Sequence, residues 1–219
     1  MPSPAVEVRA AAAEQYAAIA ELTATTYLSE GYGDADYATT LRDVAGRAAQ
    51  ASVLVAQRGG ELLGAVAVAT DGGPYAEQSD PGEAVIRMLV VAPEARGAGA
   101  GTALMQACLD RALAAGCTTV RLSTQVTMTA AHRIYHRLGF VRTPDRDWEP
   151  VPGLTLLTYE LPLAWCELCG RAGTHARCRA ALGLEPPRYC PACRRRMVVQ
   201  VTPTGWTARC AEHGATSSN

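Results

Sequence analysis

Cysteine and histidine side chains recur in pairs near the end of the chain. Six Cys and two His form four units, each with two residues between its two ligands. The units are Cys166-x-x-Cys169, His175-x-x-Cys178, Cys190-x-x-Cys193 and Cys210-x-x-His213. Thiolate and imidazole are the ligands of structural zinc, and a pair at this spacing places both ligands on one ion. Eight ligands can therefore complete two tetrahedral sites.

The pairing of the units and the identity of the metal stay open at this point. Nearest pairing joins the first unit with the second and the third with the fourth, whereas alternate pairing joins the first with the third. A further alternative is one metal site with spare thiols. The spacing favours Zn²⁺, but Cys-rich sites with a His also hold iron–sulfur clusters. Residues 164–219 contain too few apolar side chains to fold alone, so we expect metal to supply folding free energy.

A second chemical feature is the turn Arg96-Gly97-Ala98-Gly99-Ala100-Gly101. Residues 83–93 predict a buried strand, and a helix is predicted from Thr102 onward. Backbone amides at a helix N-terminus bind phosphate, and glycines allow its close approach. A flexible connection is the alternative for this turn taken alone. A dinucleotide site is disfavoured, because the spacing is not GxGxxG and residues 117–124 contain no acid.

Two motifs together resemble the GNAT superfamily of N-acetyltransferases. The first runs through MLVVAPEARGAGAG and is carried by Leu89, Val91, Pro93, Arg96, Gly99 and Gly101. The second is an Ala-x-x-x-Tyr-x-x-x-Gly-Phe helix, carried by Ala131, Tyr135, Gly139 and Phe140. Both occur in the family's order and spacing, and the resemblance covers about residues 5–162.

The resemblance implies an acetyl-CoA-dependent enzyme that acetylates a primary amine of a small molecule or protein. The main chain of Leu89, Val90 and Val91 would bind the pantetheine arm and polarise the thioester carbonyl. The amides of Arg96, Gly97, Ala98, Gly99, Ala100, Gly101 and Thr102 would hold the pyrophosphate. Tyr135 matches the family's usual acid, and a buried aromatic side chain is the structural alternative.

The acceptor side of the site departs from the family pattern. Many relatives carry a Glu eleven residues before the motif Arg, and that position here is Val85. Glu83, one strand repeat away on the same face, is the candidate base acting through water, or else a solvated charge at the strand end. Met128 stands where relatives often place Asn. Acceptor contacts are expected from the loop that holds Asp145, Asp147 and Trp148.

The tail carries a resemblance of its own. The string LEPPRYCPACRRRMVVQVTPTGWTARCAEHG, at about residues 184–214, resembles the small bacterial biotin synthase auxiliary proteins. That resemblance implies an iron–sulfur enzyme as a partner. Residues 165–219 carry eight Arg against three acids, while residues 1–164 carry twelve Arg against eighteen. An acidic partner would suit Arg194-Arg195-Arg196, although solvation is the default for such a run. Nucleic-acid binding is disfavoured because few aromatic residues are present to stack bases.

The fold class that follows is α/β, with a GNAT fold followed by a small zinc-ribbon-like domain. The resemblance implies a mixed, mostly antiparallel central sheet flanked by helices. We expect domains at 1–163 and 164–219, since the composition changes near Pro162. Charges at Glu7, Arg9 and Glu14 interrupt any targeting pattern, and no apolar run reaches the ~18 residues of a membrane span. These features predict a cytoplasmic protein, where disulfides are disfavoured.

Overall fold

The computed structural model describes residues 5–76, 78–173 and 175–218. The strands in these ranges are β1 (Glu7–Ala10), β2 (Ser52–Arg58), β3 (Glu61–Ala69), β4 (Glu83–Val91), β5 (Thr119–Thr124), β6 (Val141–Arg142), β7 (Trp148–Val151), β8 (Leu154–Pro162), β9 (Val198–Thr202), β10 (Gly205–Cys210) and β11 (Gly214–Ser217). The helices are α1 (Tyr16–Ser29), α2 (Ala35–Arg42), α3 (Val44–Ala48), α4 (Ala100–Ala114), α5 (Thr129–Leu138) and α6 (Ala176–Leu182).

The central sheet has the order β1-β2-β3-β4-β5-β8-β6, and β7 pairs with β8 outside this path. All of its pairings are antiparallel except β4 with β5, which run parallel. The expected mixed, mostly antiparallel sheet is therefore confirmed. Alternate strand residues face opposite sides of the sheet, so each face carries an apolar layer.

Helices cover both faces of the central sheet. On one face, α4 buries Leu104, Met105 and Leu109 completely against the strands. On the other face, α1 to α3 contribute Ile19, Leu41 and Val44 to a second apolar cluster. The helix that follows the glycine turn is thus fixed to the sheet along its length.

The segment after α1 forms two helices, because Asp43 ends α2 and its carboxylate accepts a hydrogen bond from the Gly46 N–H at 2.8 Å, which starts α3. Asp34 caps α2 by accepting a 2.8 Å hydrogen bond from the Tyr37 N–H. One local expectation is corrected by the structure. The segment 144–153, expected to be a loop, contains β7, since Trp148 pairs with Leu156.

The tail adds the three-stranded antiparallel sheet β11-β10-β9 and the short helix α6. Its apolar cluster is small, with Met197 and Ala208 buried beside Cys190 and Cys210. Across the described part of the chain, no helix is long and apolar enough to cross a bilayer.

Candidate active site and metal centres

A gap opens between β4 and β5 halfway along their length. The parallel pairing runs from Glu83 opposite Thr119 to Ile86 opposite Leu122 and ends there, although both strands continue. At the same point β4 contains a bulge, where the register against β3 shifts and Met88 has a positive φ of 54°.

The bulge reverses which side chains of β4 face α4. Before it, Ala84 and Ile86 belong to the apolar cluster under α4, whereas after it Leu89 and Val91 pack against that cluster. Met88 and Val90 face the cluster on the other side. One inserted residue shifts the two-residue alternation in this way. The segment predicted to bind the cofactor therefore lies beyond the bulge, along the open part of β4.

The glycine turn has the backbone that phosphate binding needs. Gly97 and Gly99 have φ angles of +79° and +88°, which residues other than glycine rarely adopt. A Cβ added at either position would meet no atom within 4 Å, so open space lies in front of the turn. Helix α4 begins at Ala100, and its first amides have no partner within the helix. The turn fits the pyrophosphate of acetyl-CoA.

Two guanidinium groups flank this turn. Arg96 forms an ion pair with Glu30 of α1. Arg58, at the end of β2, places Nη2 3.5 Å from the Ala98 carbonyl oxygen, and its buried Nε has no hydrogen-bond partner among the described residues. The sequence interpretation missed Arg58, because only the β2–β3–β4 pairing brings the two segments together. An orphaned buried N–H beside the turn is a further sign that an anion completes this region.

Tyr135 lies on α5 with its side chain 5% exposed and lines the cleft between the sheet and its loops. Its ring centroid is 5.9 Å from that of Phe140 and 6.0 Å from that of Tyr159. Burial raises the pKa of Tyr135, and the nearby Tyr159 raises it further. The phenol is therefore protonated at neutral pH and can donate a proton into the cleft.

The structure places Glu83 outside the cleft, in a network of ion pairs. Its carboxylate pairs with the buried Arg121 of β5, and Arg146 contacts its other oxygen at 3.2 Å. Glu160 joins the network, with Oε1 3.0 Å from Arg121 Nε and 2.9 Å from Arg146 Nη1. Glu83 is thus engaged in ion pairs, with 11% of its side chain exposed, and it is not among the described residues that line the cleft.

The cleft itself encloses about 510 Å³ between β4, β5, α2, α5 and the β7–β8 hairpin. Its aromatic lining comes from Tyr27, Tyr32, Tyr37, Tyr135 and Trp148. Its described charged residues are Asp34, Asp36 and Arg87. Burial raises the pKa of Tyr27, whose hydroxyl lies 3.5 Å from the Leu89 carbonyl oxygen. The cleft thus reaches the open part of β4.

Of the loop residues expected to touch the acceptor, Trp148 alone is found in the described lining of the cleft. Its indole N–H donates to Ser123 Oγ at 3.0 Å. Asp147 instead forms a two-point ion pair with Arg142, which holds the pKa of its carboxyl below the usual range. Val85 and Met128 do line the cleft, so both departures from the family pattern lie at the acceptor side.

His132 and His136 belong to no metal-ligand group among the described residues. His132 is half-buried, and burial lowers the pKa of its imidazole. Its Nε2 lies 3.4 Å from Thr124 Oγ1.

The eight tail ligands form two separate groups. The first metal group is Cys166, Cys169, His175 and Cys178, and the second metal group is Cys190, Cys193, Cys210 and His213. Within each group the ligand atoms all lie within 4.8 Å of one another. The structure therefore groups the ligands by nearest pairing of the four units and not by alternate pairing.

Ligand spacing in both groups fits a single tetrahedral ion. Cys169 Sγ is 3.5 Å from His175 Nδ1, Cys193 Sγ is 3.6 Å from Cys210 Sγ, and Cys190 Sγ is 3.6 Å from His213 Nδ1. A tetrahedron with Zn–S bonds of about 2.3 Å has edges of about 3.8 Å between sulfurs, and shorter edges to nitrogen. The donor set and its dimensions are those of a closed structural site.

Comparisons with known proteins agree with this arrangement. A family model described as "Acetyltransferase (GNAT) family" matches residues 16–140, which hold the bulge, the glycine turn and Tyr135. The chain belongs to the GNAT acetyltransferase family. This GNAT acetyltransferase also matches, over residues 197–219, a model of the biotin synthase auxiliary protein family.

Solved GNAT structures share the fold. The chain aligns with yncA from Salmonella typhimurium, solved with its cofactor acetyl-CoA, at a TM-score of 0.54 and 22% identity, covering 72% of this chain and 94% of the other. A GCN5-related N-acetyltransferase from Kribbella flavida gives a TM-score of 0.53 and 25% identity, with 73% and 98% covered.

Curated relatives match the two parts of the chain separately. The biotin synthase auxiliary protein of Mycobacterium tuberculosis is 57% identical over 47 residues, which is 22% of this chain and 60% of that protein. The mycothiol acetyltransferase of Cellulomonas flavigena is 40% identical over 95 residues, which is 42% of this chain and 27% of that protein. The chain thus spans 60% or less of the length of either relative.

Proposed function

We propose that this GNAT enzyme transfers an acetyl group from acetyl-CoA to a primary amine of a small molecule or protein. The observation that carries the proposal is the position of the open part of β4, which adjoins the cleft lined by Tyr135 at Leu89 and leads to the glycine turn at its other end. Bound acetyl-CoA supplies the activated acyl group and the thiolate that leaves. The main chain of Leu89, Val90 and Val91 binds the pantetheine arm, and the amides from Arg96 to Thr102 hold the pyrophosphate.

Each part of the chain has a distinct task in this reaction. Backbone N–H groups beyond the Met88 bulge polarise the thioester carbonyl, and fixed donors of this kind commonly make the largest contribution to catalysis. The Tyr135 hydroxyl holds the proton that the leaving sulfur takes up. Positive charge at the turn comes from the helix N-terminus together with Arg96 and Arg58.

The described residues supply no evident base beside the open part of β4. Val85 stands at the position that relatives fill with Glu, and the described carboxylates of the cleft, Asp34 and Asp36, are both exposed. The acceptor therefore enters as the neutral amine. We expect kcat/KM to rise with pH until the acceptor amine is deprotonated. Because the pKa of Tyr135 is raised, its acid form persists throughout that range.

A small amine is the acceptor class that the cleft suits best. The cavity of about 510 Å³ is bounded by the β7–β8 hairpin and by aromatic side chains from α1 and α2. Among the relatives described above, the Cellulomonas protein alone has a small molecule, mycothiol, in its name. A protein acceptor presenting a single side-chain amine is the alternative, and an amine screen with labelled acetyl-CoA separates the two classes.

For the tail we propose two Zn²⁺ ions, one in each metal group. A cluster of several irons holds its cysteines around its outer surface, which separates them more widely than ligands of a single ion. All four ligand atoms of each group lie within 4.8 Å of one another, which favours one ion. An iron–sulfur cluster is the alternative, and its visible absorption would reveal it.

A second candidate function is support of an iron–sulfur enzyme through the tail. The observation that favours it is the 57% identity with the mycobacterial biotin synthase auxiliary protein. Arg194 stacks over Trp165 at 4.8 Å and Arg195 pairs with Glu212, so part of the arginine run has partners within the chain. Arg209 adds further positive charge to the tail, whereas Arg188 pairs with Glu185 at 2.6 Å.

Calorimetric titration with acetyl-CoA tests the leading function, since absence of binding would contradict it. Co-purification of the full chain with biotin synthase from the same organism tests the second. We further propose that residues 1–163 and 164–219 are distinct functional units, and that the protein is cytoplasmic.

A further inference from the structure

The first ten residues of the tail are packed onto the acetyltransferase domain. Leu163 continues from β8 and donates its N–H to the Thr118 carbonyl oxygen at 2.8 Å. The chain then forms a small hairpin in which Trp165 pairs with Ala172. Ala172 is completely buried and belongs to the same apolar cluster as Leu104 and Leu109 of α4. The hairpin is therefore part of the outer packing of that helix.

Two polar side chains of α4 hold the backbone of Ala172. Gln106, 4% exposed, donates from Nε2 to the Ala172 carbonyl oxygen at 2.9 Å. Asp110 accepts the Ala172 N–H at Oδ1 at 3.1 Å. Next to them, a Cβ added at Gly173 would already touch Leu109 at 3.5 Å and Leu161 at 3.7 Å. A buried polar side chain is costly unless bonded, so Gln106 needs this hairpin in place.

The first metal group encloses the same segment. Cys166 and Cys169 precede Ala172, while His175 and Cys178 follow it. The Cys166 N–H donates to the Arg171 carbonyl oxygen at 2.7 Å, and the Gly170 N–H donates to the Cys166 carbonyl oxygen at 2.8 Å. A metal ion on these four ligands closes the segment into a rigid loop that presents Ala172 to α4.

The N-terminal end of α4 adjoins the glycine turn, which is proposed to bind the pyrophosphate of acetyl-CoA. Gln106 lies four residues after Thr102 and Asp110 four residues after Gln106, so all three lie along one helical stripe. We propose that Gln106 and Asp110 are positioning residues for this turn, and that the first metal group holds their partner, so that metal binding and acetyl-CoA binding are thermodynamically coupled. This inference rests on the proposed acetyl-CoA function. The second metal group borders the same hairpin, because the Trp165 N–H donates to the Pro191 carbonyl oxygen at 2.9 Å, but none of its ligands flanks Ala172. We therefore expect it to take no part in the coupling.

Reciprocity makes the coupling measurable without any turnover. If the metal of the first group improves acetyl-CoA binding by some factor, acetyl-CoA must improve metal binding by the same factor. Cys193→Ser leaves only the first metal group complete, and its matched control Cys178→Ser leaves only the second. Zinc affinity is measured by chelator competition on each full-length variant, with and without saturating acetyl-CoA.

We expect acetyl-CoA to raise the zinc affinity of Cys193→Ser by about 5-fold or more, and to leave that of Cys178→Ser unchanged. Added to Cys193→Ser, Asp110→Ala should abolish the shift, and Asp110→Asn should keep it because the amide oxygen still accepts the Ala172 N–H. Should Cys178→Ser misfold, the unsubstituted chain serves instead, and only one of its two zinc-release steps should shift.

An unchanged zinc affinity in Cys193→Ser, or an equal shift in both groups, would overturn the coupling. Calorimetric titration of the unsubstituted chain with acetyl-CoA distinguishes loss of the coupling from loss of the proposed function. If acetyl-CoA binds but does not change zinc affinity, only the coupling is contradicted. If acetyl-CoA does not bind, both the coupling and the proposed function are contradicted.

Discussion

The acetyltransferase domain and the tail reach a stable fold by different means. In the acetyltransferase domain, two apolar layers cover both faces of the sheet, and side chains such as Leu104, Leu122 and Val55 are completely buried. In the tail around β9 to β11, the buried cluster is Met197 and Ala208 with two metal ligands. The first region is stabilised by apolar burial, whereas the second, under the proposal of two zinc ions, is stabilised by ligand bonds to metal.

The two regions also differ in where they place their polar residues. The acetyltransferase domain has a cleft at the open end of β4 and β5 and an ion-pair network around Glu83 and Arg121. The tail gathers its six cysteines into the two metal groups and exposes its arginines.

The largest effect is expected on removal of metal. Structural zinc sites are worth about 10 kcal/mol or more at neutral pH, which exceeds what the small apolar cluster of the tail provides. Chelation should therefore abolish amide-exchange protection in β9 to β11 while the strands of the central sheet stay protected. Hydrogen exchange followed by mass spectrometry measures both regions at once. Retained protection at β10 after complete metal removal would show that the tail folds without it.

Loss of the buried arginine of β5 should come next in size. Arg121→Met leaves the carboxylates of Glu83 and Glu160 without their buried partner, and breaking such a pair costs about 3 kcal/mol of unfolding free energy. Denaturant unfolding measures this loss. Glu83→Gln is the control for function, because its kcat should stay within about 2-fold of the unsubstituted enzyme. A large fall in kcat for Glu83→Gln would restore Glu83 as the base.

Tyr135→Phe removes the proposed proton donor and keeps the ring in its apolar surroundings. We expect kcat to fall about 100-fold, with acetyl-CoA affinity nearly unchanged. Tyr159→Phe is the matched control, since Tyr159 packs against Tyr135 but is not part of the described cleft lining. Equal losses in the two variants would indicate packing and not proton transfer.

In the unsubstituted enzyme, the raised pKa of Tyr135 predicts no loss of rate as pH approaches about 10, the ordinary tyrosine value.

The smallest effect concerns the glycine turn. Gly99 and Gly60 have the same φ of +88°, and a Cβ at either would lie in open space. Gly99→Ala and Gly60→Ala should therefore lose similar stability, about 1 kcal/mol. Only Gly99→Ala should weaken acetyl-CoA binding, by about 10-fold, because its methyl group enters the space proposed for phosphate. Calorimetry on both variants checks this, and equal affinities would place the pyrophosphate elsewhere.

The sequence predicted those parts of the site that depend on local backbone. Gly97 and Gly99 have the required positive φ angles, and Tyr135 lies on the expected helix beside the cleft. The φ angles of the two glycines depend on the turn itself, and the position of Tyr135 depends on a helix with a strong amphipathic pattern. Residues close in sequence are therefore enough to predict both features. The composition likewise indicated that the tail needs metal ligands, although it left the pairing open.

What the sequence did not reveal depends on contacts between distant segments. The surroundings of Glu83 are set by Arg121 and Arg146, which come from other elements. Arg58 reaches the glycine turn only through the sheet register. Ala172 carries no pattern that would mark an alanine in a cysteine-rich tail as part of the acetyltransferase core. The Met88 bulge was equally hidden, because β4 is apolar on both faces.

Native mass spectrometry of the full chain, purified without added metal and mixed with acetyl-CoA, measures metal and acetyl-CoA binding in one experiment. We predict a single species that carries two zinc ions and one acetyl-CoA molecule, one ion for each metal group. A mass increment for iron and inorganic sulfide, or a folded chain without bound metal, would contradict the two zinc sites proposed for the tail. A metal-loaded chain that binds no acetyl-CoA would contradict the proposed acetyltransferase activity.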